Sequence, residues 1–484
     1  MMKTQMTSIT REQLRIFPYQ FAQLLELSIE QKINQHGTLI IKGIVECGLK
    51  DTYIGETAFG TNIVVFCEEP NGQRNQDMGI SVAKNISMDE KGSKILFDGI
   101  VKDISVKREG DLYILEVYAV THTYLLDIET KRRSFQDNGM TYGALVSQIN
   151  ADYDDASAIV TVEDRALGDF IIQYDETDWE FIVRMASHFK QGVYPARNMS
   201  GVKYYFGVPN LRAEHELASH IYRIKKDITQ IVRYELDDYQ QLALGNRIIF
   251  KGSPHYVEAL KSQLIGSEMV GTYTLTSEEG VGQQTRKNKL LQGVSVTGHV
   301  LAIVRDKVKV HIHQIDAVQE VGKAHWFTYS TIYASKDGSG WYCMPEVSDL
   351  VRIQFANTDD YSAYAVSSIS QYTPAEGETD LKGDYNIRYI RNPQGMEIVL
   401  TPNEVIISAN NRSMIILNQN GNITIQGQSS VSIASENNVS ITAGNNIQLQ
   451  ASERINLMCG GKAEIDLDSS TGVTSLKGTT VYTN

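Results

Sequence analysis

The most informative part of the chain is residues 401–433, TPNEVIISANNRSMIILNQNGNITIQGQSSVSI, where aliphatic side chains return every eight residues. Two series carry the repeat, one stepping by eight from Val399 and the other stepping by eight from Thr401, and both run on through the C-terminal part of the sequence. Side chains at positions i and i+2 of a strand lie on the same face. Because a fixed period kept over eleven octads indicates a repeat architecture, each octad is predicted to form one short β-strand with an aliphatic face.

This aliphatic face is expected to be the core of a trimer. An octad supplies one strand and one bend, which is too little chain to complete a coil, so a lone chain leaves its aliphatic stripe and its strand edges uncovered. Three chains wound around a common axis would bury the stripes and pair the edges, whereas a single-chain β-solenoid, the alternative, usually needs longer coils. The predicted trimer core consists of Ile407, Ile415, Leu417, Ile423, Ile425, Val431, Ile433, Val439, Ile441, Ile447, Leu449, Ile455, Leu457, Ile465 and Val473.

Length and charge limit the functions that the chain could have. Its 484 residues are enough for about three domains. A formal net charge of −13 and a pI near 5.3 give no overall basic field, so no nucleic-acid partner is expected. The four cysteines show no CxxC spacing and favour a reducing compartment. Since the N-terminus lacks an apolar segment and no run of 18 apolar residues occurs, we expect cytoplasmic synthesis and no stable membrane insertion.

The middle of the chain is typical of a small β-domain. Residues 286–372 contain five short alternating stretches separated by turn signals such as Asp337-Gly338-Ser339-Gly340, which fits an OB-fold barrel. Aspartates dilute its basic residues, which favours a structural collar over a ligand site. Residues 373–392 are predicted to be a linker.

The first 285 residues mix strands with helices. Apolar spacing predicts helices at 140–150 and 178–189, and Thr177 or Asp178 would cap the second helix. Residues 214–233 fit either a third helix or strands joined by a turn, and both interpretations stay open.

Several motifs resemble the VgrG family, the hub-and-spike proteins of contractile injection systems. Residues 97–101, FDGIV, and 132–136, RRSFQ, resemble the family's hub domain. Residues 173–184, QYDETDWEFIVR, are similar to its stretch Q-Y-x-E-[ST]-D-x-x-F-x-x-R. Residues 345–351, PEVSDLV, resemble its motif P-x-V-G-D-x-V, with Ser348 where glycine is usual. The residues that carry the hub resemblance are Phe97, Gly99, Arg133, Phe135, Gln173, Glu176, Asp178, Phe181 and Arg184.

The resemblance covers nearly the whole chain and implies its architecture and role. The fold class would be mainly β with some helix: a β-barrel hub domain in residues 1–285, the OB-fold barrel, the linker, and an intertwined trimeric β-helix spike in residues 393–484. The implied function is a homotrimeric central spike that nucleates the inner tube and baseplate and punctures the target envelope. Implied partners are an Hcp-like inner-tube protein, baseplate proteins, effectors, and a PAAR-like tip protein that covers Val481 and Tyr482.

The resemblance also implies a spike without its own enzyme. The interval 372–392 is too short for the lysozyme that the phage version carries between barrel and prism. Such a spike is assembled into an injection particle and is translocated or extracellular after firing. A type VI secretion system, an extracellular particle and a phage tail all remain open.

No residue pattern predicts a catalytic, cofactor-binding or metal site. His215 and His220 are five residues apart, so on a helix their rings diverge by about 140° and cannot share one zinc ion. His311 and His313 would share one face of a strand, but two ligands without a third favour ordinary surface residues.

The acidic cluster of Asp175, Glu176 and Asp178 is explained more simply by helix capping and intersubunit salt bridges than by acid–base catalysis. The alternative function is a trimeric phage tail-spike or adhesin with polysaccharide-degrading activity. We disfavour it because the octads are too short and too poor in aromatic residues to form a sugar-binding groove.

Overall fold

The computed structural model describes residues 8–68, 93–210, 215–217 and 219–482. The chain divides into two compact units, Met1–Gln371 and Tyr372–Asn484. Strands dominate both units among the described residues, and the helices are few and short. The expected fold class, mainly β with some helix, is therefore confirmed.

An antiparallel layer from residues 14–121 forms one half of the largest sheet. Its elements are β1 (Leu14–Phe17), β2 (Gln23–Lys32), β3 (Gln35–Val45), α1 (Cys47–Glu56), β4 (Asn62–Glu68), β5 (Ser93–Glu109) and β6 (Leu112–Thr121). The strand order is β1-β4-β5-β6-β3-β2. Every second residue of β3 is buried, including Leu39, Ile41 and Val45, because successive side chains of a strand point to opposite faces.

The other half of that sheet lies in residues 215–276. Its elements are β12 (His215–Leu217), β13 (Tyr222–Lys226), β14 (Val232–Asp238), β15 (Arg247–Phe250), β16 (Ser253–Ile265), β17 (Glu268–Thr276) and α4 (Glu278–Val281). β16 pairs with β17 on one side and with β2 on the other, so the two halves make one 12-stranded sheet. The sequence left residues 214–233 open between a helix and strands joined by a turn. The described residues of this segment form strands joined by a turn.

A smaller lobe with two helices lies between these halves in sequence. Its elements are β7 (Thr130–Phe135), α2 (Tyr142–Asn150), β8 (Ser157–Val160), β9 (Ile171–Thr177), α3 (Asp178–Ser187), β10 (Val193–Pro195) and β11 (Lys203–Phe206). Both predicted helices are present. Thr177 is the cap of α3: its Oγ1 accepts from the Glu180 N–H at 3.1 Å, and Glu180 Oε2 accepts from the Thr177 N–H at 3.0 Å.

A five-stranded antiparallel sheet, here the small sheet, completes the first unit. Its strands are β18 (Ser295–Val304), β19 (Lys307–His311), β20 (Trp326–Thr328), β21 (Leu350–Phe355) and β22 (Ala363–Ile369), in the order β20-β19-β18-β21-β22. Its two edges meet at one parallel bridge, Tyr329 with Ala365, where the Ser330 N–H donates to the Ala365 carbonyl at 2.7 Å. No regular ladder closes the sheet in the described part of the chain, so the closed barrel is not confirmed and the OB assignment stays a prediction.

The second unit consists of two antiparallel meanders. The first has β23 (Arg388–Arg391), β24 (Met396–Leu400), β25 (Glu404–Ala409), β26 (Ser413–Asn418) and β27 (Ile423–Gly427); the second has β28 (Arg454–Cys459), β29 (Ala463–Asp468) and β30 (Val473–Lys477). One strand per octad is thus found in both meanders, while residues 428–453 contain no strand.

The described residues of this unit form no β-helix, in contrast to the expectation. Within each meander, every strand pairs with the next one along the chain through a tight turn. Asn410 and Asn411 have positive φ angles of 52° and 59°, and Gly421 has 81°, which allows these turns. Asn410, Asn411 and Gly421, which would form bends in a β-helix, therefore lie in hairpin turns in this structure.

The backbone conformation of Ser348 shows why the P-x-V-G-D-x-V motif has glycine at this position. Its φ is 77°, in the left-handed region that favours glycine. The turn is held in this conformation by the Ser348 N–H, which donates to the Val300 carbonyl at 2.8 Å, and by the Val300 N–H, which donates to the Asp349 carbonyl at 2.9 Å. Backbone strain is therefore present where this sequence departs from the family motif.

We expect Ser348→Gly to raise the free energy of unfolding by about 1 kcal/mol, because glycine adopts the observed φ without strain and the exposed serine side chain is expendable. Urea denaturation, followed by tryptophan fluorescence of the small sheet, measures the change. Ser348→Ala is the matched control and should give no such gain; equal midpoints for the glycine variant and wild type would contradict the strain.

Candidate functional site

The aliphatic residues of the first meander form one continuous face. Ile415 lies opposite Ile407 in one neighbouring strand and opposite Ile425 in the other. In the next row Leu417 lies opposite Ile423. Cross-strand neighbours point to the same side of a sheet, so these residues share one side of the meander.

The second meander repeats the arrangement. Leu457 lies opposite Ile465, and Ile465 lies opposite Leu476. Ile455 lies opposite Leu467 in the adjacent row. We call the aliphatic sides of the strands β24–β27 and β28–β30 the octad faces.

In the single chain the octad faces are open to solvent. Ile415 is 38% exposed, Ile425 is 56% exposed and Ile423 is 67% exposed. Burying one such side chain contributes about 1.5–3 kcal/mol. A contiguous apolar patch of this kind on a soluble protein marks a surface that a partner covers.

The structure places the predicted core residues in two environments. Those in the strands of the meanders are Ile407, Ile415, Leu417, Ile423, Ile425, Ile455, Leu457, Ile465 and Val473. All but Val473 lie on the octad faces, whereas Val473 lies across from Asp468, on the side of its meander away from Ile465. Those in 428–453, outside any strand, are Val431, Ile433, Val439, Ile441, Ile447 and Leu449, and all six are exposed.

Several residues that the octad series misses also belong to the octad faces, among them Val405, which lies opposite Leu417. Ile398 pairs with Ile407 and is 41% exposed, and Leu400 precedes the turn into β25 and is 47% exposed. Leu467 and Leu476 play the same part in the second meander. The eight-residue step could not find them, because hairpin pairing rather than the sequence period places them beside the series.

The predicted tip-cap residues are accessible. Val481 is 50% exposed and Tyr482 is 90% exposed, both beyond the last strand. Contact with a cap stays a prediction.

The hub motif converges on a buried arginine of α3. Arg184 is 2% exposed, and its Nε and Nη2 donate to the two carboxylate oxygens of Glu176 at 2.8 Å each. Its Nη1 donates to Asp360 Oδ2 at 2.7 Å, and Nη2 also donates to the Ile172 carbonyl at 2.7 Å. Burial raises the pKa of the Glu176 and Asp360 carboxyl groups. The guanidinium of Arg184, which they share, acts in the opposite direction but does not outweigh burial. The arrangement ties α3 to β9 and to Asp360, and it engages four of the five N–H donors of the guanidinium.

Asp178 is the centre of a second network. Its carboxylate is fully buried and accepts from Tyr153 Oη at 2.6 Å and from Gln173 Nε2 at 2.9 Å. Lys131 and Arg133 lie 2.9 Å and 3.2 Å away. Burial by itself would raise the pKa of Asp178, but the hydrogen bonds to its carboxylate outweigh burial, and the pKa is lowered. Burial and the hydrogen bond to Asp178 raise the pKa of Tyr153 to about 12. Within this chain the charged partners of the carboxylate are Lys131 and Arg133, and the intersubunit salt bridges stay a prediction.

These motifs attach the helical lobe to the small sheet. The Ser134 N–H donates to Asp316 Oδ1 at 3.0 Å, and the Ser134 hydroxyl donates to the other carboxylate oxygen. Gln136 Nε2 donates to the Val310 carbonyl at 3.1 Å. Phe170 and Ile172, at the start of β9, lie in the hydrophobic core of the small sheet. The hub motif is therefore a structural joint between two parts of the first unit.

The remaining motif residues serve packing. Phe97 is fully buried in the core of the first half-sheet. Gly99 is required by close approach, because a Cβ there would lie 2.3 Å from the Val120 carbonyl oxygen. Phe135 and Phe181 stack with ring centroids 5.5 Å apart.

The histidines that the sequence analysis considered as metal ligands do not form a site with a third ligand among the described residues. The side chain of His215 lies outside the described residues, and the segment 215–217 is a strand. His311 Nε2 donates to the Asp316 carbonyl at 2.7 Å. Over the described ranges, no group of three or more His, Cys, Asp or Glu side chains is placed to hold a metal ion. Within the same residues, no helix has the length and apolar character that crossing a bilayer requires.

Comparison with known proteins gives structural matches alone. No protein-family model and no curated protein sequence matches the chain. Thirty-five chains of solved structures do match.

Two of these structures are complexes of PdpA with VgrG. The half-lidded Francisella complex matches over 87% of this chain and 88% of its own, with a TM-score of 0.51 and 8% identity. The lidless complex matches over 84% and 93%, with a TM-score of 0.50 and 8% identity. An Escherichia coli type VI secretion component, described as structurally similar to the T4 phage tail proteins gp27 and gp5, matches over 74% and 99% at a TM-score of 0.49 and 11% identity. The predicted resemblance to the VgrG fold is confirmed by the two complexes.

We expect Arg184→Leu to lower the free energy of unfolding by about 3–5 kcal/mol, because it leaves Glu176 and Asp360 buried without a cation. Arg132→Leu is the matched control: it removes a half-exposed bidentate pair with Asp175 and should cost at most about 1 kcal/mol. Urea denaturation of both full-length variants tests the difference, and equal losses would contradict the structural joint.

Proposed function

We propose that the chain is the hub and central spike of a contractile injection system and that it works as a homotrimer. The observation that carries this proposal is the pair of octad faces, whose isoleucines and leucines are exposed in one chain. The VgrG-like fold supports it, although a match at 8% identity speaks to fold alone.

A trimer meets the physical requirement of the octad faces. Each meander has an apolar side that needs a cover and outer strands whose N–H and C=O groups lack partners along one edge. Two further copies of the chain carry the same aliphatic stripe at the same spacing. In a threefold assembly, the stripe of each chain would therefore be covered by the stripes of the other two. The intertwined trimeric β-helix of residues 393–484 is thus the assembled state that we propose, and the antiparallel meanders are what one chain forms alone.

A prism of this kind suits puncture of an envelope. All of its backbone polar groups are paired between chains, so bending it must break many hydrogen bonds together. Polar residues such as Thr424 and Ser432 occupy the alternate positions and would face outward. That side also carries Ile406 and Ile416 in the first meander and Glu464, Asp466 and Asp468 in the second, so the outside would mix polar, charged and apolar side chains.

The hub domain would receive the other parts of the machine. The 12-stranded sheet offers a broad platform for an Hcp-like inner-tube protein and for baseplate proteins, and the joint at Arg184 would keep the small sheet aligned with it when force is applied. A PAAR-like protein would cap Val481 and Tyr482 and bring effectors. The protein would act without enzymatic activity of its own, after assembly in the cytoplasm into a particle that fires outward.

Light scattering of the purified full-length protein tests the proposal. We expect a mass of about 162 kDa, three times the 54.1 kDa of one chain. A monomer at micromolar concentration would contradict the homotrimer.

Ile425→Asp should abolish the trimer, because it would bury three carboxylates around one axis. Thr424→Asp is the matched control, since Thr424 lies on the opposite side of the same strand, across from Ile416. The control should keep the mass of the trimer; loss of the trimer in both variants would contradict the assignment of the octad face as its core.

A further inference from the structure

Three histidines lie on the outer side of the small sheet. Along β18, Val296 and Val300 are buried while His299 is half-buried, so the alternation turns His299 outward. His311 is the cross-strand partner of His299, and His313 follows two residues later on the same outer side and is exposed.

Two of these rings face each other closely. The ring centroids of His299 and His313 are 4.8 Å apart, and the rings are inclined by 33°. Zinc binds imidazole nitrogen at about 2.0–2.1 Å, so two ligating nitrogens stand about 3.3 Å apart in tetrahedral geometry. Because ring nitrogens lie about 1.2 Å from a centroid, rotation of the exposed His313 ring reaches this separation.

The protein fixes the proton of His299 in the form that a metal needs. Nδ1 lies 3.1 Å from the Ser348 carbonyl oxygen, which can only accept, so Nδ1 carries the hydrogen and Nε2 keeps its lone pair. A backbone carbonyl that receives the second N–H is the usual support of a metal-binding histidine. The carbonyl is held in place by Ser348, whose φ of 77° is strained.

His313 is also ready to ligate. Among the described residues its ring has no hydrogen-bond partner, whereas His311 is engaged with the Asp316 carbonyl.

We propose that His299 and His313 form a two-imidazole site for a borderline divalent transition metal such as Zn²⁺, with water completing the coordination. The sequence singled out His311 and His313, whereas the structure replaces His311 by His299 as the partner. With two protein ligands the site binds metal reversibly, in contrast to a closed structural zinc site. It would bridge β18 to the segment after β19, on the outer wall of the small sheet.

Titration calorimetry of untagged full-length protein with Zn²⁺ tests the proposal. We expect one Zn²⁺ per chain, and at least tenfold weaker binding in His299→Ala and in His313→Ala. Ser348→Gly should bind as wild type does, because glycine keeps the carbonyl in place. His220→Ala is the control, since His220 is exposed and lies in another part of the chain.

Paramagnetic resonance with Cu²⁺ gives an independent readout. The wild type should show splitting from two imidazole nitrogens, and each single alanine variant should show splitting from one, with circular dichroism confirming that the variants remain folded. No Zn²⁺ binding by the wild type, unchanged affinity in both alanine variants, or loss of affinity in His220→Ala would overturn the site.

Discussion

An octad is too short to shelter its own aliphatic side, and this constraint governs the second unit. A strand of five or six residues has one apolar face, and the turn that follows returns the chain beside that strand without covering it. Hairpin pairing satisfies the backbone groups between neighbours yet leaves Ile415 and Ile425 in water. Further copies of the same surface would supply both a matching stripe and free strand edges, and this is the basis of the proposed assembly.

In the first unit, a buried joint holds the helical lobe and the small sheet together. Phe170 and Ile172 extend β9 into the core of the small sheet, and the guanidinium of Arg184 links β9 to Asp360, just before β22. Buried ion pairs contribute little net stability, but removing one partner is costly, so such a network fixes geometry more than it adds free energy. A spike driven by a contracting sheath would need this kind of rigid joint.

The strands of the repeat and the start of α3 could be predicted from the sequence, because residues close together in the chain determine them. The eight-residue period predicts strands at β25, β26 and β27, and the cap at Thr177 predicts where α3 begins. The pairing of those strands was not predictable, since asparagine and glycine permit either a bend or a hairpin turn. The partners of Arg184 were hidden too: Asp360 lies 176 residues away, and nothing in its local sequence distinguishes it from a surface aspartate. The closeness of His299 and His313 likewise depends on strand register, which a single sequence does not encode locally.

A reconstruction of the purified full-length protein by electron cryomicroscopy tests the central claim most directly. The account predicts a threefold axis through residues 393–484, with the side chains of Ile415, Ile425 and Ile441 from three copies in contact around it. A particle containing one chain, or a threefold particle in which these side chains point to solvent, would contradict it.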